Sequence, residues 1–90
     1  MATPDYITEG DGFADIKLAK PEKVDGANVT VIRMREPKVR DLEASQTSKS
    51  DSEREVSLFA NLCEIAPEDI RNMRARNYRR LQEAFALFTI

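Results

Sequence analysis

The 90-residue chain has no histidine, one cysteine and three glycines, and each shortage closes off a class of chemistry. Without histidine it lacks the commonest general base and metal ligand. Its one cysteine, Cys63, cannot close an internal disulfide, and with scattered carboxylates it makes no zinc site, whose ligands are mainly Cys and His. As a nucleophile Cys63 would need an activating base, and none is visible. Beside Phe59 and Leu62 it reads instead as a small buried hydrophobe. Gly10 and Gly12 are followed by no loop-to-helix pattern, so there is no phosphate-cradling loop. No catalytic, cofactor-binding or metal residue is assigned, and the chain is not expected to be an enzyme.

Long apolar runs are missing too. No stretch approaches the ~20 apolar residues of a membrane span. Met1 to Gly12 has no basic segment leading into an apolar one, as an export signal would. A secreted domain of this size would usually carry several disulfides, so the cytoplasm is the expected compartment. Nor is there a basic surplus: 14 Lys and Arg face 16 Asp and Glu, for a net charge of -2. That balance argues against general attraction to nucleic acid or anionic membrane.

What is present, 41% hydrophobic and 33% charged residues, suits a globular domain rich in helix. So short a chain buries only a little over half of its unfolded surface, which leaves a thin core that a partner or self-association would help. Residues 1–12 place Pro4, Gly10 and Gly12 among acids and read as a disordered N-terminal tail. Residues 13–90 read as one domain, a hairpin over 13–36 and a helical part over 37–90.

In the hairpin, Ile16 and Leu18 alternate with charged residues, and Val29 and Val31 alternate with Thr30, Ile32 and Met34 around Asp25-Gly26. A two-residue loop would set Leu18 opposite Arg33. A three-residue loop, Val24-Asp25-Gly26, sets Leu18 opposite Ile32 and Ile16 opposite Met34, and is the preferred register. Pro21 suggests that the first strand is an edge. Glu36-Pro37 ends the second strand, and a short helix over 37–46 with little apolar content follows. A polar linker, Ser45 to Ser50, leads into the capping-box spacing Ser50-Asp51-Ser52-Glu53 and a helix over 51–65. Ala66-Pro67-Glu68-Asp69 restarts helix, with Ile70 and Met73 as its apolar face, and Asn77 caps a last helix over 78–88. The fold class is α+β: an N-terminal β-hairpin followed by three to four short helices.

On the 51–65 helix, Val56, Leu58, Phe59, Leu62, Cys63 and Ile65 cover roughly half of the circumference, where a core stripe needs little more than about 100°. On the last helix Tyr78, Leu81, Phe85, Leu87 and Phe88 do the same. Either each helix is wedged between neighbours, or part of this surface meets another chain. Arg71, Arg74, Arg76, Arg79 and Arg80 put five arginines in ten residues. They read as a solvated face balanced by Glu68, Asp69 and Glu83, as a phosphate grip beside Tyr78, or as the rim of a protein interface.

Several segments together resemble the tail assembly chaperones of Mu-like contractile-tailed phages. They are Ile16 to Pro21, Val24-Asp25-Gly26, Val31 to Leu42 with its Arg35-Glu36-Pro37 and Arg40-Asp41-Leu42, the 51–65 helix, Pro67 to Ile70, and Tyr78, Leu81 and Phe88. The chain departs from that pattern at Asn77, where an aspartate is usual, and in its density of arginines. The resemblance implies a small protein, without catalytic residues, that coats the tape-measure protein until the tail tube polymerises around it. The expected contact residues are Leu58, Ile65, Tyr78, Leu81, Phe85, Leu87 and Phe88, with Arg74 and Arg79 as rim. Self-association is expected, whereas membrane contact and, on charge, nucleic-acid binding are not. The alternatives are a small nucleic-acid-binding regulator acting through Arg71 to Arg80, and a minor structural tail protein.

Overall fold

A computed structural model describes residues 3–47 and 50–90. Met1 and Ala2 of the expected tail, and Ser48 and Lys49 of the expected linker, lie outside the described residues. Three antiparallel strands, β1 (Ile7–Gly10), β2 (Phe13–Val24) and β3 (Ala27–Arg35), precede four helices, α1 (Val39–Ser45), α2 (Asp51–Cys63), α3 (Pro67–Arg71) and α4 (Ala75–Phe88). This is the expected α+β arrangement with one more strand. The sheet's inner face, Ile7, Ala14, Ile16, Leu18, Ile32 and Met34, is buried with Leu58, Phe59, Leu62, Ile70 and Leu81 of the helices. Each large side chain buried there contributes about 1.5–3 kcal/mol.

The extra strand corrects the reading of residues 1–12 as a disordered tail. Ile7 pairs with Ile16 and is 4% exposed, so one apolar residue anchors an otherwise polar segment. The two-residue turn Asp11-Gly12 returns the chain with Gly12 at φ 84. Gly10 faces Phe13 across the ladder, and the Phe13 ring occupies the space that any Cβ on Gly10 would need. The strand depends on this cross-strand fit, which its own alternation of residues does not announce.

β2 is the central strand, not an edge. Pro21 is tolerated because it lies past Ile16, where β1 pairing ends, and within the stretch between Lys17 and Glu22 where the β3 ladder is interrupted. The expected three-residue loop is also replaced. Val24 pairs with Ala27 across a two-residue turn in which Asp25 and Gly26 have φ 53 and 79, the backbone of a type I′ hairpin. That turn alone would put Ile16 on the wrong face. The interruption inserts an odd excess of residues into β2, which restores parity and brings Ile16 opposite Ile32 and Ala14 opposite Met34. The apolar residues therefore share a face as expected, through a different device.

α1 is shorter than 37–46 because the carboxylate of Asp41 accepts from Lys38 N at 2.8 Å, which fixes the start after Pro37. The helix buries Asp41 and Ser45 while leaving Val39 and Leu42 73% and 39% exposed. α2 begins as expected, with Ser50 accepting from Glu53 N at 3.2 Å. It stops at Cys63 because Glu64 turns left-handed at φ 55, and Ile65 then folds back to bond Ala60 O at 3.0 Å. α4 starts at Ala75, before Asn77, so Asn77 is an interior helix residue and not its cap.

Candidate protein-binding site

Asn77 is fully buried and ties α4 to the interrupted stretch of β2. Its Oδ1 accepts from Ala19 N at 2.7 Å, and its Nδ2 donates to Lys20 O at 2.9 Å and to the Glu22 carboxylate at 2.6 Å. Glu22, also buried, accepts from Arg74 N at 2.8 Å and so caps the helix start in place of a side chain from α4 itself. Backbone groups orphaned by the break in the ladder thus find partners on α4. Nothing local in the sequence signals this, since asparagine ahead of an aromatic reads as a cap.

With α4 fixed, the positions of the expected contact residues follow. Leu58 and Ile65 are core residues, each 8% exposed, and Leu81 is fully buried. Tyr78 and Phe85 are half-buried, each ring centred 5.6 Å from that of Phe59. The Tyr78 hydroxyl donates to Glu55 at 2.5 Å, and burial, then that bond, raises its pKa. Leu87 and Phe88 lie half-buried at the far end of α4 against the core, next to the exposed Ile90. Most of the wide apolar faces of α2 and α4 is therefore taken up inside the domain. Other exposed apolar side chains are Val31 on β3 and Val39 and Leu42 on α1. Cys63 is partly buried on α2, where burial pushes its thiol up to about 12. Burial of this kind disfavours the thiolate form.

α1 is held by a polar lock. Asp41 receives a bidentate bond from Arg35, both N–O distances 2.8 Å, and a third from Asn61 at 3.2 Å. The Arg35 guanidinium, with help from Lys38 N, holds the Asp41 carboxyl well below the usual carboxylate range. The Arg35-Glu36-Pro37 and Arg40-Asp41-Leu42 segments thus serve to seat a helix that turns its apolar pair, Val39 and Leu42, to solvent.

The arginine band divides in two. Arg71 pairs with Glu68 at 2.8 Å, and Arg80 stacks over Tyr6 at 3.8 Å while donating to Lys17 O. Of the other acids expected to balance the band, Asp69 accepts from Asp25 N and Glu83 from the Tyr6 hydroxyl. Arg74 reaches Pro21 O at 2.9 Å and Glu22 at 3.6 Å, whereas Arg76 and Arg79 stand exposed. Lys20, Arg74, Arg76 and Arg79 together line an open depression of about 660 Å³.

Among the described residues no group of His, Cys, Asp or Glu is placed to hold a metal ion, and no helix is long and apolar enough to cross a membrane. The fold is that of a small α+β domain, its sheet clamped to α4. Residues 15–90 match the family model described as phage tail assembly chaperone proteins, E, or 41 or 14, and the chain belongs to this family. No curated protein and no solved structure matches it.

Proposed function

We propose that this chaperone binds the tape-measure protein of a Mu-like contractile tail in the host cytoplasm and shields it until the tube assembles, without catalysing a reaction. The family match over residues 15–90 carries the reading. A long apolar rod aggregates if bare, and many copies of a small domain making modest contacts would cover it reversibly. The α4 end, with Leu87, Phe88 and the exposed Ile90, is the candidate contact. Leu58, Ile65, Tyr78, Leu81 and Phe85 support it from the core. Arg76 precedes Leu87 by eleven positions on one helix, about 16 Å, so the arginines form a second contact along the rod more readily than a rim around the first.

Self-association is the other part of the reading. β3 is an edge strand whose residues 27–32, Ala-Asn-Val-Thr-Val-Ile, carry none of the charges or prolines that usually blunt an edge. A second copy presenting the same strand is its natural partner.

Co-expression with the tape-measure protein tests the main contact. Leu87→Asp removes a half-buried side chain at a cost of about 1–2 kcal/mol, so the variant should keep its circular dichroism yet lose co-purification. If it folds and still co-purifies, the α4 end is not the contact, and Val39 and Leu42 become the next candidates. Presence of the chain in purified particles would favour a minor structural subunit instead.

A further inference from the structure

We propose that Lys20, Arg76 and Arg79, with Arg74 at their edge, form a recognition site for carboxylates on an acidic segment of the client polypeptide. That the segment belongs to the client rests on the function proposed above; the carboxylate chemistry rests on the site itself. The first observation is the lack of internal partners. Among the described residues the side chains of Lys20, Arg76 and Arg79 have no hydrogen bond or ion pair, although acids lie nearby on α3 and α4. Those acids are taken by Arg71, Asp25 N and the Tyr6 hydroxyl, so the cations are left free by the same contacts that build the fold. The start of α4 is likewise occupied by Glu22, and the site depends on side chains alone.

Two further observations choose among anions. A single-stranded nucleic-acid site pairs cations with an aromatic platform. The only aromatic in this run, Tyr78, is turned into the core against Phe59 and tied to Glu55. The chain also carries a net charge of -2, so a phosphate polymer reaching past the depression meets a surplus of acids. A short run of carboxylates meets only the patch, and guanidinium groups match carboxylates two bonds at a time. The segment is assigned to the client and not to a second copy on the function proposed above, and several of the chain's own acids are already paired with cations. Asp15 pairs with Arg33, Asp51 with Arg54 and Glu68 with Arg71. The β1–β2 turn stands beside Lys38 and Arg40.

Fluorescent poly-L-glutamate and a duplex DNA of equal charge serve as probes for the full chain at about 50 mM salt, where surface charges are weakly screened. Polyglutamate should bind more tightly than the duplex and weaken with salt. R76A/R79A should weaken it about tenfold or more, and R71A, whose arginine is already paired, less than about twofold. Both variants alter exposed side chains and should keep the parent circular dichroism. Equal or tighter binding of the duplex, lost in R76A/R79A, would make the patch a nucleic-acid surface. Equal losses in R71A and R76A/R79A, or no polyglutamate binding, would leave only a solvated charge cluster. Leu87→Asp should not alter polyglutamate binding, so failure of the α4 contact and failure of this site are read separately.

Discussion

Replacing Asn77 by alanine tests whether the clamp between α4 and β2 is what holds the interrupted sheet together. The side chain is fully buried and makes two bonds to backbone, at 2.7 and 2.9 Å, and one to the Glu22 carboxylate, at 2.6 Å. A neutral bond contributes about 1 kcal/mol net and a charge-assisted one about 2, for a loss near 4 kcal/mol. Lys20 is exposed, so water replaces part of its bond, and the expected loss falls to about 3 kcal/mol. In a domain of this size that lowers the midpoint of thermal unfolding by about 12–24 °C, measurable by circular dichroism or calorimetry. A drop of less than about 4 °C would mean that the clamp is dispensable. Asn77→Asp separates shape from charge. It sets a carboxylate against that of Glu22 and removes the donor to Lys20 O, so it should also destabilise at neutral pH. Two carboxylates in contact raise the folded-state pKa of one. The deficit should therefore vanish as pH falls to the ordinary carboxylate range and grow as pH rises above that range through the raised pKa.

Asp41→Asn should cost about 1–2 kcal/mol at neutral pH by loosening α1 from Arg35. Because Asp41 is held below its unfolded pKa, this stability is present above about pH 4 and lost as pH falls further, so the two proteins should converge in acid melts. Sedimentation at several hundred micromolar should show weak self-association of the parent chain and its loss in Val31→Lys, which places a charge on the β3 edge. A strictly monomeric parent would refute the edge as a self-contact.

The inner face of the sheet was legible in the sequence because alternation marks which residues must share a face, and the interruption in β2 restores the parity that the shorter turn would have reversed. Ile16, Leu18, Ile32 and Met34 are buried as expected although their partners shifted. Helix starts at Asp51 and Pro67 were legible because capping and proline chemistry are local. β1 was not, since Ile7 alone among its residues is buried and the strand exists through pairing with β2. Asn77 misled because its partners are more than fifty residues away. At the candidate site, spacing revealed apolar width on α2 and α4. It could not reveal that the rings of Tyr78 and Phe85 meet around Phe59, or that the acids near the arginines have other partners. The outward Val39 and Leu42 were hidden for a similar reason, as a carboxylate on the buried side of a helix becomes sensible only once Arg35 is seen beside it.

The Asn77 clamp also sets the order of events during synthesis. It joins residues 55 to 58 positions apart, so the middle of β2 has no partners for its backbone until Asn77 has been synthesised. The hairpin can form early, and α2 and α3 cover part of its apolar underside before Leu81 and Ala84 of α4 complete the core. The middle of β2 can therefore settle only once α4 has been made, whereas the hairpin turn at Asp25-Gly26 needs nothing beyond its own strands.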